Sequence, residues 1–402
     1  MRATLPSQPR PLPRRRAIVA VAVAAITIDT ALVGLIAPLL PDIERRTGAS
    51  AGALGASFAA YAVPIVLLSL ALGRLADSRG RRELVIAGLL LAAAGSAVIA
   101  ASESLYPLML GRAIQGFGSA ASWIAALALV SDLAPPGRRG EAIGFALAAT
   151  GAGSIAGPAL GGVTADLISY AAPFLIVCGV SVALALAAAA VLPPEAQRRT
   201  PQALSRAAIW GPIGSGIGAV ATLMTLGAAG ALGLIEVVAP LDFHSRLDLS
   251  SAGIGLLFAG SIAVDAALAP LGGRWGDRRG RRGPAATGLA LTAASALLLA
   301  WLGGALGAAL ALAVFGAGLS LTFSAAVPWL DEAFGETERG LGYGVLNVLY
   351  AAGYTIGPLL GGVLLGVASA DVAYGLTAVV LGCGAGTLLL RIRAPTIAAR
   401  SS

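Results

Sequence analysis

Apolar runs long enough to cross a bilayer recur along the chain, separated by short polar stretches. They fall at about 17–40, 51–72, 83–101, 105–130, 141–165, 170–192, 214–240, 250–272, 284–303, 305–330, 340–366 and 371–390. Each is close to the roughly 20 residues that a helix needs to span about 30 Å of hydrocarbon. The pattern predicts twelve transmembrane helices. Composition agrees, because 57% of the 402 residues are hydrophobic and 12% are charged. Soluble domains run near 45–50% apolar and about 25% charged, so the excess must be covered by lipid. Twelve spans of about 22 residues leave only short loops and tails, which excludes a sizeable soluble domain.

Charge placement orients the spans. All 27 basic residues are arginine. With both tails cytoplasmic, the cytoplasmic segments hold 5 arginines in the N-terminal tail, 4 at 73–83, 2 at 132–140, 3 at 193–208, 5 at 273–283, 1 at 331–340 and 3 at 391–402. The opposite loops hold Arg45, Arg46 and Arg246, and Arg112 lies inside a span. This asymmetry predicts a multi-pass protein of the cell inner (plasma) membrane with both termini cytoplasmic. It also explains the net charge of +7 as topology, so no nucleic-acid partner is expected. Arg14, Arg15 and Arg16 precede an apolar run longer than the roughly 7–15 residues of a secretory signal, which is read as the first span. Cys178 and Cys383 sit in apolar segments, where neither a disulfide framework nor a metal site is expected.

The chain repeats itself at an offset of 200 residues. Gly73-Arg-Leu-Ala-Asp77-Ser-Arg-Gly80-Arg81-Arg82 returns as Gly273-Arg-Trp-Gly-Asp277-Arg-Arg-Gly280-Arg281-Arg282. Gly153-Ser-Ile-Ala-Gly157-Pro158-Ala-Leu-Gly161-Gly162 returns as Gly353-Tyr-Thr-Ile-Gly357-Pro358-Leu-Leu-Gly361-Gly362. Two copies in the same register predict two like halves related by an axis along the membrane normal. The expected fold is all-α, with two pseudo-symmetric six-helix bundles at 17–192 and 209–390. A cytoplasmic tail at 1–16, a Pro-rich linker at 193–208 and a tail at 391–402 complete the division.

The loop motif around Asp77, Arg112-Ala-Ile-Gln115-Gly116 in the fourth span, and the Gly-x-x-x-Gly-Pro-x-x-Gly-Gly of the fifth span together resemble the major facilitator superfamily, and within it the twelve-span drug:proton antiporters. The resemblance covers nearly the whole chain. Asp29 ahead of Pro38 and Pro41, Glu236 before Pro240, and Gly353-Tyr-x-Ile-Gly-Pro are locally similar to the vesicular amine transporter branch. Asn347 stands where that branch carries an acid, and the tenth span has no acid before Asp331, so its full charge set is not carried over.

Asp29 is the leading chemical candidate, because a carboxylate in mid-bilayer costs a few kcal/mol unless it has a partner, a wet cavity or a proton. Helix rise places it about 18 Å from the cytoplasmic end of its span and Arg112 about 11 Å from the outer end of its own. The two therefore share a depth, and since the resemblance implies that both spans line a central cavity, an Asp29–Arg112 interaction that couples protons is expected. Glu236, about 6 Å inside the outer end of its span, is either a shallow acid reaching water or a cation ligand, and the amine-transporter resemblance favours the second. Asp265 is assigned to gating. The remaining substrate-binding candidates are Gln115, Trp123, Phe323, Asn347 and Tyr350, with Tyr354 on the same helix. His244 is expected at the solvated surface.

Gly153, Gly157 and Gly161, with Gly353, Gly357 and Gly361, recur every four residues and form a smooth helix face. Pro158 and Pro358 permit a bend there, and the stripes are read both as close packing against a neighbouring helix and as a hinge face suited to halves that rock. The family resemblance implies a cytoplasmic gate from Gly73, Asp77, Gly80, Arg81, Arg82, Asp132, Gly273, Asp277, Gly280 and Arg281. In it Asp77 faces the start of span 11, Asp277 faces the start of span 5, and Asp132 pairs with Arg81 or Arg82.

These features predict a proton-coupled secondary transporter that exports small amphipathic cations by alternating access. Transport of a neutral metabolite such as a sugar is the alternative. No cofactor is expected, since a chain without lysine cannot build the Gly-Lys-Ser/Thr phosphate loop. Nor is an enzyme, since the one histidine lies outside the spans. The expected partners are the substrate, protons and the lipid bilayer, and the chain is expected to act as a monomer.

Overall fold

A computed structural model describes residues 12–133, 139–192, 206–214, 216–335 and 339–391. Residues 193–205 of the linker expected at 193–208, and most of both tails, lie outside them. The first half contains α1 (Leu12–Leu35), a 3-10 turn (Ala37–Leu39), α2 (Leu40–Thr47), α3 (Ala51–Arg79), α4 (Arg81–Ala100), α5 (Leu105–Leu133), α6 (Arg139–Leu167) and α7 (Ala172–Val191). The second contains α8 (Arg206–Gly214), α9 (Gly216–Leu247), α10 (Ser251–Arg279), α11 (Arg282–Trp301), α12 (Gly304–Phe334), α13 (Arg339–Val367) and α14 (Ala370–Arg391). Among the described residues, 11 helices are long and apolar enough to cross a membrane. The 29-residue α6 is not one of them. It nevertheless fills the fifth position of the first bundle, packed between α1 and α10.

The helix breaks repeat with the sequence. Ser50 and Ser250 each cap the following helix, accepting from Ala53 N and Gly253 N at 3.3 Å, which satisfies an orphan donor of the first turn. Gly80 (φ +103°) and Gly280 (φ +82°) turn the chain between adjacent spans, a backbone geometry that favours glycine. In the first span of each half, however, the offset is 199. Gly157 meets the Ala31 carbonyl while Gly357 meets that of Gly230, and Gly34 and Gly233 face Pro158 and Pro358. The 3-10 turn accounts for the missing residue. It rises about 2.0 Å per residue against about 1.5 Å in an α-helix, so three residues gain about 1.5 Å, one α-helical step. The counterpart of Asp29 is therefore Ala228.

Glycine contacts reveal the symmetry. Gly88 packs on Gly118 and Ser122, and Gly288 on Gly318 and Thr322; Gly116 touches the Tyr61 carbonyl, and Gly316 that of Ser261. Contacts between the halves recur with the halves exchanged. Gly55 meets the Pro358 carbonyl and Gly255 that of Pro158, while Gly162 meets Ser251 and Gly362 meets Ala51. A twofold axis along the bundle requires this exchange.

One apolar core lies wholly in the first half and another wholly in the second. A third, at the end opposite the termini, joins Leu32, Leu39, Leu40, Ile43 and Phe58 to Val237, Leu241 and Tyr354. The halves are thus sealed together at that end. The glycine stripes pack closely against a neighbouring helix, and that helix belongs to the same half. Gly153, Gly157 and Gly161 press on Thr27, Ala31 and Leu35 of α1, and Gly353, Gly357 and Gly361 press on α9, so each stripe is a seam inside its own half. The surfaces that cross between halves are Pro158 with Gly162 and Pro358 with Gly362, a step around the same helices.

Gly157→Ala places a methyl against the Ala31 backbone and is expected to cost about 1–3 kcal/mol by overpacking. Gly151→Ala, which meets nothing within 4 Å, is expected to leave stability unchanged or raise it by up to about 1 kcal/mol through helix propensity. Thermal unfolding of the two purified variants checks the contrast.

Candidate functional site

Two buried carboxylates face the middle of the molecule from opposite halves. Asp29 on α1 is 5% exposed and accepts a hydrogen bond from the Ser119 hydroxyl of α5 at 3.1 Å. Arg112 lies seven residues before Ser119 on α5, about 10.5 Å along the helix. It is 1% exposed, and its Nη1 donates to the Leu32 carbonyl at 3.3 Å and to Gln115 Oε1 at 3.0 Å. Its guanidinium carbon sits 4.3 Å from the centre of the Tyr61 ring and 5.8 Å from that of Phe58, positions suited to cation–π attraction. Among the described residues no ion pair joins Arg112 to Asp29. Arg112 is anchored at Leu32, about one helical turn beyond the carboxylate.

Glu236 is corrected more strongly. Its helix runs on through Pro240 to Leu247, so the residue lies about 16 Å from that helix end rather than near the surface. It is 4% exposed and accepts a hydrogen bond from the Tyr354 hydroxyl of α13. The Tyr354 ring packs on Phe58 of the first half at 6.1 Å and stacks on Tyr350, which in turn meets Phe323 at 6.0 Å. Phe58 thus touches both Arg112 and Tyr354. Sequence reading missed Phe58, Tyr61 and Ser119. Phe58 and Tyr61 lie one turn apart on α3, but nothing in the apolar pattern separates them from core rings.

Other candidates are placed less centrally. Gln115 is wholly buried and donates from Nε2 to Ser96 Oγ at 3.0 Å, so it braces Arg112 against α4 instead of meeting the centre. Trp123 packs beside the first-half core and Phe323 beside the second. Asn347 Nδ2 donates to Ser69 Oγ of α3 at 3.2 Å, linking the halves. Asp265 is half-buried, and its backbone carbonyl accepts from Ser320 at 2.8 Å. His244 is also half-buried, with Nδ1 3.1 Å from the Leu249 carbonyl, not freely solvated as expected.

At the termini end, Arg81 pairs with Asp132 and donates to the Ala128 carbonyl at 2.8 Å, while Arg82 donates to the Ala189 carbonyl at 2.8 Å. The repeat preserves both arrangements. Arg281 pairs with Glu332, and Arg282 donates to the carbonyls of Leu388 and Leu389. The side chain of Asp77 and the surroundings of Gly73, Gly140 and Gly340 lie outside the described residues; Asp277 is exposed. At the far end the halves are latched by contacts the sequence did not reveal. Ser251 Oγ donates to Asp42 at 2.8 Å and Ala252 N donates to Asp166 at 2.9 Å, the latter capping α10 with a carboxylate. Among the described residues no three His, Cys, Asp or Glu side chains gather to hold a metal ion.

Gln115→Ala strands a buried donor on Arg112 and an acceptor on Ser96, and is expected to cost about 1–3 kcal/mol without weakening ligand affinity. Unfolding and binding measurements on one preparation check both halves of that statement.

The model of the Major Facilitator Superfamily matches residues 19–220 and 220–402. The chain is 35% identical over 158 residues to the tetracycline resistance protein, class G, of Vibrio anguillarum, a match that covers 39% of this chain and 40% of the relative. It therefore spans well under half the length of that protein. It is 28% identical over 418 residues to the MFS-type transporter ppzB of Metarhizium majus, covering 84% and 91% of the two chains. Its fold is similar to a bacterial homologue of the human lysosomal transporter Spinster in an inward-facing, unoccupied conformation (TM-score 0.76, 16% identity, 94% and 95% covered). It is also similar to the human organic anion transporter MFSD10 (TM-score 0.68, 21% identity, 95% and 100% covered).

Proposed function

This chain belongs to the major facilitator superfamily of membrane transporters, and on that premise we propose that it exports small amphipathic cations in exchange for protons by alternating access. The observation that carries this reading is the pair of buried carboxylates, Asp29 and Glu236, set on opposite halves beside the rings of Phe58, Tyr350 and Tyr354. An ionised carboxylate away from water is strongly disfavoured unless a proton or a cation neutralises it. A proton and a cationic substrate therefore compete for the same acid, which is the thermodynamic requirement for exchange. The aromatic rings give the apolar part of such a substrate a face to stack on. Likeness to tetracycline resistance proteins over part of the chain supports drug efflux in particular.

In this reading the chain acts as a monomer in the plasma membrane. The termini end faces the cytoplasm, in line with its arginines, and the latched end faces outward. Asp29 accepts the incoming proton, and the Ser119 hydroxyl holds its carboxylate towards the centre. Tyr350 and Phe323 line the second-half wall. Asp265 lies on the cytoplasmic approach, where it attracts cations before they reach Glu236.

Asp29→Asn removes the competing charge and is expected to lower uphill export of lipophilic cations by about ten- to hundredfold, the value of one charged hydrogen-bonding interaction. Export is measured in cells with an intact and with a dissipated proton gradient, using lipophilic cations and neutral compounds. A wild-type chain that moves only neutral compounds, or that ignores the gradient, would falsify the proposal.

A further inference from the structure

The repeat places an acid at the same point in the outer end of each half, Asp42 and Asp242, and the halves use it differently. Asp242 is satisfied within its own half. Its Oδ2 accepts from Arg246 Nη2 at 2.9 Å and from the Tyr374 hydroxyl at 3.3 Å, and Arg246 also donates to the Leu299 carbonyl at 2.9 Å. In the first half the match to Tyr374 is Phe174, which has no hydroxyl, and Arg46, the match to Arg246, lies over the Tyr170 ring at 4.6 Å. Asp42 Oδ1 takes Arg45 of its own helix. Its Oδ2 is left for the opposite half, where it accepts from Ser251 Oγ at 2.8 Å.

A second acid from the first half reaches the same helix end. Asp166 of α6 accepts from Ala252 N at 2.9 Å, next to the Ser250 hydroxyl that caps Gly253 N. The counterparts of Asp166 and Ser251 are Gly366 and Ala51, so among the described residues α3 receives no such carboxylate from α13. The backbones nevertheless cross closely at both places, since a methyl on Gly162 would meet the Ser251 carbonyl and one on Gly362 that of Ala51. Packing is matched on the two sides and charge is not. Carboxylates on the first turn of a helix gain from charge-assisted bonds and from the positive end of its dipole.

We propose that Asp42 and Asp166 form the outer gate of this transporter, a one-sided clasp by the first half on the first turn of α10 that sets how often the outer end opens. This rests on the alternating-access reading above. Opening must strip both carboxylates from α10, whereas the α3–α13 side has packing alone to lose at that end. The two bonds are unequal. The Asp42 side chain is 21% exposed and Asp166 stands at the exposed surface, where water competes for the bond, so the Asp42–Ser251 contact carries more of the closure.

The test reads outer opening as the electron–electron distance between spin labels at Glu103→Cys and Gly303→Cys, matched exposed positions in the outer loops, in the full chain with Cys178→Ser and Cys383→Ser. Asp42→Ala is expected to raise the open-to-closed ratio about tenfold, as for loss of a shielded bond to a charged group, and Asp166→Ala about threefold, as for loss of an exposed helix cap. Ser251→Ala should match Asp42→Ala, and the two together should do no more than either, because they remove the same bond. Gly366→Asp, which gives α3 the carboxylate that α10 already has, should draw the ratio back down in the Asp42→Ala chain. A ratio unmoved by Asp42→Ala and Ser251→Ala, or effects of those two that multiply, overturns the clasp, and Ser251→Ala decides alone if Asp42→Ala fails to fold. Uphill export of tetraphenylphosphonium by the unsubstituted chain in proteoliposomes keeps the two readings apart. Export with an outer distance that ignores these substitutions sinks the clasp alone, and a clasp-dependent distance without export sinks the transport reading alone.

Discussion

A charge removed from water must be answered by another charge, by hydrogen bonds or by a proton, and this constraint governs the centre of the molecule. Asp29, Arg112 and Glu236 are each at most 5% exposed, and none is paired directly with another. Asp29 has one hydroxyl, Glu236 one phenol, and Arg112 a carbonyl, an amide oxygen and two rings. Such incompletely neutralised acids are costly to a resting structure and useful to a machine that binds and releases cations. The surrounding fold supplies what makes them tolerable, namely a rigid anchor for each and an interface between anchors that is able to part.

That interface is built from backbone rather than side chains. At Pro158 with Gly255, Gly162 with Ser251, and their exchanged mates, a single added methyl would meet a carbonyl of the opposite half. Contacts so close are lost over a small displacement, since dispersion falls steeply with distance. A closed end made of them is tight yet able to open as a unit. The polar latch is laid over only one of the two equivalent crossings. Asp166 and Ser251 have Gly366 and Ala51 as counterparts, so at the far end α10 is hydrogen-bonded to α2 and α6, where α3 and α13 meet by packing and share their hydrogen bond, Asn347 to Ser69, nearer the termini end.

The chemistry likewise sits where the two halves differ. The repeat keeps helix caps, glycine turns, the Arg81–Asp132 and Arg281–Glu332 pairs, and the arginine caps on the ends of α7 and α14. It replaces Asp29 by Ala228, Arg112 by Leu312 and Glu236 by Ala37 in the aligned register. The scaffold is therefore symmetric and the ionisable centre is not.

From the sequence alone, apolar length and arginine placement determined an all-helical membrane protein, and the 200-residue offset determined two like bundles, because burial in lipid and repetition both leave periodic traces. Asp29, Arg112 and Glu236 were also legible, as charges are conspicuous in apolar runs. Partnership was not. Whether Arg112 pairs with Asp29 or with the Leu32 carbonyl depends on one turn of helix register, and whether Glu236 is shallow depends on α9 continuing past Pro240. The docking of the glycine stripes within each half, and the Asp166 carboxylate that caps α10, were decided by the rotation of helices about their axes, a quantity that a nearly uniform Ala, Gly and Leu surface does not encode.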